Sequence, residues 1–592
     1  MRLLTALLLA ALAALSDFAL AQASGGTDSA DTLAIGRRIY REGILPTGQP
    51  LQGLSQAGVT LSGAAAACAT CHRRSGYGSS EGPIEVRPIT GPALFGERVA
   101  PSAPGRAAGA APPGAPHHTQ QATPASGSPP GQSAAEIARA NAEALRTARA
   151  AMFAGNRQRP TYDDASLGRA LRDGIDVTGR NMNASMPRYA LDPASLAALT
   201  TYLKTLSAQV SPGITEDKVY FATVIQPGVD AVRQRAMMDV IQLLFRDRNL
   251  SQRAELRREQ AGQVHLGRNY REWVLDVWEL HGASDTWGQQ LESFNRKQPA
   301  FALVGGLGSA SWRPIHEFSE RFEVPCILPQ TDLPDLEPPD IYTVYLSEGI
   351  TLEAKALAKF LRGSGEQGPV MQISGHDEAS ATAATAFREA WATAAGVPGG
   401  AGLTDQIVDD VPGEAFWQQL ARQAPGAVLV LWLAPAQLAH AQALLSADSP
   451  VNAVYLSSGL LAGQGAGMAP DAKGRLRLIY PEDLPAAREA RLAVVKRWMR
   501  DNGIPAADET LLLNAYLAAT ATGMVVTHIK DTYSREFLLE RMEHRLGTAN
   551  ELSIYPHLSL GPGQRFASKG SYIVQISGKD GTLVPLSDWI VP

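Results

Sequence analysis

Cysteine is the scarcest resource of this chain, with three residues in 592. So few thiols exclude a disulfide-stapled scaffold. Aromatic residues make up only 6% of the sequence, and no basic stretch is interleaved with them, which sets nucleic acid aside as a partner. Neither sign of charge dominates, since the formal net charge is −5. Beyond the first fifteen residues no run approaches about 18 uninterrupted apolar residues, so no membrane span is expected in the mature chain.

The N-terminus begins Met1-Arg2, continues through an apolar run from Leu3 to Leu15, and reaches small residues at Ala19-Leu20-Ala21 and Ala21-Gln22-Ala23. This layout predicts a secretory signal peptide over residues 1–23 and export to the periplasm. Two of the three cysteines then fall in Cys68-Ala69-Thr70-Cys71-His72. Cys-x-x-Cys-His is the spacing at which two thiols add to the vinyl groups of haem while the adjacent imidazole reaches the iron. A thioredoxin-like redox pair would want a surrounding βαβ pattern, and a zinc site needs two further ligands that Cys326 cannot complete. One covalently attached haem c on Cys68 and Cys71, with His72 as an iron ligand, is therefore expected. Residues 97–135 interrupt this region with a Pro, Ala, Gly and Ser-rich tract unable to bury a core, which predicts a disordered insertion. Helical pattern resumes at Ala134 to Met152 and at Asp164 to Asp173.

The helical segment Asp31 to Glu42, the motif, the Gly/Pro-rich stretch after it and Asn181-Met182-Asn183-Ala184-Ser185-Met186-Pro187-Arg188-Tyr189 together resemble the cytochrome c family. The resemblance implies a small all-α domain over 24–208. It also implies that Met186, in a Met-Pro loop ahead of the last helix, is the second axial iron ligand, with Met182 as the other candidate. Leu191 to Leu206 would be the C-terminal helix that packs on the N-terminal one. A methionine in that position leaves peroxide nowhere to bind, which argues for an electron carrier and against a haem peroxidase.

After a polar join at 209–217 the texture changes. Strand-like runs recur at Val219 to Ile225, Trp273 to Trp278, Ala302 to Val304, Cys326 to Leu328, Val370 to Ile373, Ala427 to Trp432, Ala453 to Leu456 and Leu476 to Tyr480. Helical segments alternate with them, including one from Pro227-Gly228 through about Asp247, Glu353 to Leu361 and Ser380 to Ala395. Such alternation predicts mostly parallel α/β sheets, and the length over 218–592 is too great for one sheet, so two lobes are expected. The order of elements, with Phe301-Ala302-Leu303-Val304-Gly305-Gly306-Leu307-Gly308-Ser309-Ala310 and Val324-Pro325-Cys326-Ile327-Leu328-Pro329-Gln330-Thr331, resembles periplasmic binding proteins of the leucine/isoleucine/valine type.

The glycine-rich turn Gly305 to Ala310 frees backbone amides suited to a carboxylate. By the resemblance, Ser309 and Ala310 would hold one side of a ligand carboxylate, and Gln330 and Thr331 the other. His376-Asp377-Glu378-Ala379-Ser380 departs from that family, and no acidic partner for a ligand amine is visible. Residues 24–210 carry 18 Lys and Arg against 13 Asp and Glu, so this half is mildly basic and could dock on an acidic redox protein. The expectation is a two-domain periplasmic protein, not an enzyme, that couples one-electron transfer to binding of a small organic ligand. A quinoprotein dehydrogenase would supply the electrons. The competing expectation is a receptor delivering an amino acid or other small carboxylate to an ABC permease, with the haem domain as accessory.

Overall fold

A computed structural model describes residues 30–96 and 160–592, apart from 82–83, 261–269, 367, 396–401, 409–410, 447, 462–473, 507, 528, 530–532, 548–551, 562 and 578–580. The expected signal peptide, the Pro-rich tract and the helix at 134–152 lie outside the described residues. The chain divides into two compact units at Ala208/Gln209.

In the first unit a helix over 30–42 is followed by Gly43 at φ +66°, the left-handed conformation that ends a helix most cheaply in glycine. Helix Asp164–Asp173 is opened by a capping box, in which the Asp163 carboxylate accepts from the Ser166 amide, and closed by Gly174. Helix Pro193–Thr205 starts on Asp192, whose carboxylate accepts from the Ala194 and Ser195 amides. Such a cap contributes about 1 kcal/mol. The helix over 30–42 crosses helix Pro193–Thr205 at Gly36, where an added Cβ would stand 2.0 Å from the Ala198 carbonyl oxygen. Tyr40 and Tyr202 meet next to this crossing with ring centroids 5.3 Å apart. Around it lies a core that includes Ile39, Leu51, Leu94, Leu199 and Leu203.

The expectation of an all-α domain needs correction. Strand β1 (Gln52–Leu54) pairs antiparallel with both β2 (Thr60–Ser62) and β5 (Arg188–Tyr189), and β3 (Ser79–Glu81) forms a hairpin with β4 (Ile84–Val86). These strands are two or three residues long, too short to show an alternating pattern.

The second unit holds two sheets. The first lobe is built on β6 (Lys218–Ile225), β7 (Glu272–Glu279), β8 (Ala302–Val304), β9 (Cys326–Ile327) and β10 (Thr343–Val344), all parallel, in the order β10-β9-β8-β6-β7. The second lobe contains β11 (Val370–Ser374), β12 (Leu403–Ile407), β13 (Val428–Trp432), β14 (Ala453–Ser457), β15 (Leu476–Tyr480), β16 (Tyr572–Ile576) and β17 (Leu583–Pro585). Its order is β12-β11-β13-β14-β15-β16-β17, parallel up to β15 and antiparallel at the last two pairings. Both central sheets are covered on both faces, and so their strands read as continuous apolar runs: β13 is buried at all five positions.

The chain passes between lobes three times, after β10, after β15 and before β16. Between the last two passages, helices Pro485–Asp501, Glu509–Val526 and Arg535–Arg545 return to the first lobe and bury Leu492, Leu517 and Leu538 against β6 and β8 residues. Helix Glu509–Val526 is long and apolar enough to cross a membrane, but it belongs to this core. In each lobe the strand order reverses beside a central strand, β6 in the first and β11 in the second, and crevices for ligands open at the carboxyl ends of strands at such points.

Candidate functional site

Two constellations carry chemistry, one in each unit. In the first unit, Cys68–His72 forms a single helical turn with Cys68 buried, Cys71 exposed and neither thiol in a disulfide. Burial pushes the Cys68 thiol up to about 12, the opposite of an activated redox cysteine. The His72 ring is buried, which pulls its basicity down, and its Nδ1 lies 3.0 Å from the Arg87 carbonyl oxygen. A carbonyl can only accept, so Nδ1 carries the proton and Nε2 keeps the lone pair, the form that binds iron. Among the described residues no three His, Cys, Asp or Glu side chains are placed to hold one metal ion together.

Met186 and Met182 are both half-buried against the cluster that contains Cys68. The loop carrying Met186 is fixed by Tyr189, whose hydroxyl donates to the Ala66 carbonyl at 3.0 Å, two residues before Cys68. Burial, with Cys68 and Cys71 nearby, raises the Tyr189 hydroxyl. The donor set thus fits a covalently held haem: two thiols outside any disulfide and one turn apart, a histidine presented by its Nε2, and thioether side chains in the same core.

In the second unit, the residues expected at a ligand gather along the first lobe's crevice. The Gly308 amide donates to the Gln330 carbonyl at 3.2 Å, which joins the glycine-rich turn to the segment after β9. Ser309 is exposed and Ala310 half-buried. The Ala310 amide is already occupied, donating to Gln226 Oε1 at 3.0 Å. Gly308 makes room for that side chain, since a Cβ there would fall 2.1 Å from the same oxygen. The next amide, Ser311 N–H, donates across the lobes to Glu378 Oε2 at 3.1 Å. Thr331 uses its hydroxyl locally, accepting from the Leu333 amide at 3.1 Å. Gln330 Oε1 accepts from Asn514 Nδ2 at 3.2 Å, and Asn514 also approaches the Tyr555 hydroxyl.

Two acids that sequence reasoning missed meet where the lobes join. Asp332 follows Thr331, and its carbonyl accepts from Ile350 N at 3.0 Å at the start of helix Ile350–Gly363. Glu353, in the first turn of that helix, is 2% exposed; its Oε1 accepts from the Gly459 amide at 2.9 Å, Ser457 and Ser458 also act on the carboxyl, and Oε2 has no hydrogen-bond partner within range among the described residues. Glu353 Oε1 and Asp332 Oδ1 lie 2.9 and 3.4 Å from the point where a Cβ on Gly459 would sit, with Ser457 Oγ at 3.6 Å. Burial, reinforced by Asp332, lifts the Glu353 carboxyl to about 8. Asp332 is exposed, and partial loss of water raises its carboxyl against the pull of Arg233.

No protein-family model matches this sequence, and no curated protein matches it. Among solved structures, the chain is similar to a branched-chain amino acid ABC transporter protein from Thermus thermophilus with bound valine, at 10% identity over 64% of this chain and 97% of that one, TM-score 0.46. It is also similar to a fatty acid ABC transporter substrate-binding protein from Thermomonospora curvata, at 15% identity over 65% and 95%, TM-score 0.45. An extracellular ligand-binding receptor from Verminephrobacter eiseniae matches at 17% identity over 62% and 99%, TM-score 0.43.

Proposed function

We propose that this chain binds a small solute in the cleft between the two α/β lobes. The observation that carries the reading is a set of buried polar atoms left without partners at the junction: Glu353 Oε2, Asn514 Oδ1 and Gln330 Nε2. Native interiors leave few such groups unpaired, because each costs about 1–3 kcal/mol. Their concentration beside Asp332 and Tyr555, at the carboxyl ends of strands, is what a site completed by its ligand looks like. Binding by closure of two lobes fits the three chain crossings, which act as the hinge. An ABC permease is the partner this reading implies.

A second reading stands beside it for the first unit, on the tautomer of His72 described above. One haem c is held by Cys68 and Cys71, with His72 and Met186 as axial ligands, and the unit serves as a one-electron carrier in the periplasm. When bound, the haem supplies the electron-accepting centre; the chain's own residues fix the imidazole through Arg87 and hold the Met186 loop through Tyr189. A quinoprotein dehydrogenase is the electron donor proposed for this arrangement.

On protein matured in a periplasm, native mass spectrometry tests the solute reading: a small molecule that leaves on denaturation is expected, and a chain that never retains one refutes it, while the haem reading is tested by substitution. Cys68→Ala with Cys71→Ala is expected to abolish covalent haem, and acid-acetone extraction is expected to leave the wild-type haem in place. Extraction that strips the wild type refutes attachment. A ferric near-infrared thioether band that persists in Met186→Ala and vanishes in Met182→Ala moves the axial role to Met182.

A further inference from the structure

The solute reading leaves the chemistry of the ligand open, and the hydrogen bonds around the cleft constrain it. A ligand carboxylate would need free donors at the glycine-rich turn. There the Ala310 amide is held by Gln226, which also donates from Nε2 to the Ser311 carbonyl at 3.2 Å, and the Ser311 amide is held by the Glu378 carboxylate from the opposite lobe. The protein's own side chains thus already meet the turn's demand for an acceptor. On the other side of the junction the demand is reversed. Among the described residues Glu353 Oε2 and Asn514 Oδ1 lack a hydrogen-bond partner, on side chains that are 2% and 3% exposed, and the one donor left unpartnered beside them, Gln330 Nε2, is uncharged.

Arg233, the cation that acts on Asp332, is paired through Nε with Asp508 Oδ2 at 2.9 Å, and no hydrogen bond joins it to either acid among the described residues. Tyr555, close enough to feel both acids, accepts from Asn514 Nδ2 at 3.5 Å and so keeps its own O–H, a neutral donor that cannot balance their charge. The raised affinity of Glu353 for protons has burial as its main cause, with the charge of Asp332 adding to it.

We propose that the cleft takes an organic cation, an amine rather than an amino acid, whose charged nitrogen lies between Asp332 and Glu353 and donates toward Asn514, while Glu378 occupies the turn that would otherwise receive a carboxylate. The inference rests on the cleft being the solute site. It assigns the substrate class from the unmet acceptors, and it gives Glu378 the role of a built-in anion that joins the lobes at Ser311.

The test is an equimolar mixture of isoamylamine, putrescine, isoamyl alcohol, butane-1,4-diol, 4-methylpentanoate and leucine, equilibrated with the full haem-loaded chain. Retained compounds are identified by mass spectrometry, and their affinities are measured by calorimetry. The expected result is retention of an amine over its alcohol, with affinity falling at least tenfold in Asp332→Asn. Asp332→Asn removes a carboxyl that its surroundings raise, so this variant is expected to melt at or above the wild-type temperature; Glu353→Gln provides an independent second loss. Glu378→Ala is expected to leave amine binding in place and to allow weak retention of 4-methylpentanoate. Retention of leucine with isoamylamine ignored, or of an alcohol or 4-methylpentanoate by the wild type, overturns the amine assignment and leaves solute binding standing. Retention of nothing overturns both.

Discussion

Replacing Glu353 with glutamine isolates the buried acid at the lobe junction. The amide keeps an oxygen for the Gly459 N–H and nearly the same volume, but it cannot ionise. In the native protein burial lifts the carboxyl from 4.5 to about 8. Between those pH values the folded chain retains a proton that the unfolded chain has released, so stability falls as pH rises through this window and is level above and below it. At about 1.4 kcal/mol per pH unit, ionisation costs roughly 3 kcal/mol at pH 7 and about 5 kcal/mol above pH 8. Asp332, raised to about 6, adds a slope of the same sign between 3.8 and 6 in both proteins; Arg233 opposes that shift, and Tyr555 stays neutral over this range. All nine tryptophans lie beyond residue 208, so urea unfolding followed by tryptophan fluorescence reports the second unit alone. From pH 5 to 8 the Glu353→Gln protein is expected to gain on the wild type progressively. Parallel stability curves, separated by a constant, would refute the argument that Glu353 is folded in its neutral form.

Two further substitutions probe the scaffold. Gly36→Ala places a methyl group against the Ala198 backbone and is expected to destabilise the first unit by about 1–3 kcal/mol, seen as a lower melting temperature of its haem-region absorbance with tryptophan fluorescence unchanged. Arg535, buried and donating to the carbonyls of Phe301, Ala300, Phe322, Glu323 and Pro212, binds the start of helix Arg535–Arg545 to the first lobe; Arg535→Met is expected to cost the second unit at least about 3 kcal/mol in the same urea assay.

Much of the second unit could be read from the sequence because parallel strands buried on both faces announce themselves as apolar runs. Ala302–Val304 and Leu476–Tyr480 have the expected boundaries, and the others differ by a residue or so. Strands without that signature were not visible. Leu403–Ile407 is a sheet edge with three of its five residues exposed, and Thr343–Val344 is two residues long. Helix Ala231–Gln260 runs thirteen residues past the expected end at Asp247, because its second half, rich in Arg and Glu, has strong helix propensity but no apolar stripe to mark it.

The site was legible only where it is local. The glycine-rich turn could be recognised as a βα turn, but what fills it arrives from 84 and 67 residues away, in Gln226 and Glu378. Glu353 reads as an ordinary helix-opening glutamate until the crossover at Gly349 folds it against Asp332 and Gly459. The haem motif is the reverse case, since thiol spacing and the adjacent imidazole are written in five consecutive residues, whereas the hydrogen bond to Arg87 that selects its tautomer is not.

The most direct test of the account is a pair of mass measurements on one preparation of the periplasmically matured chain equilibrated with the amine it retains, first under native conditions and then denatured. The account predicts a native mass equal to the chain plus one haem plus one small cation, and a denatured mass that keeps the haem and loses the cation. A denatured mass equal to the bare polypeptide, or a native mass with no small molecule beyond the haem, would contradict it.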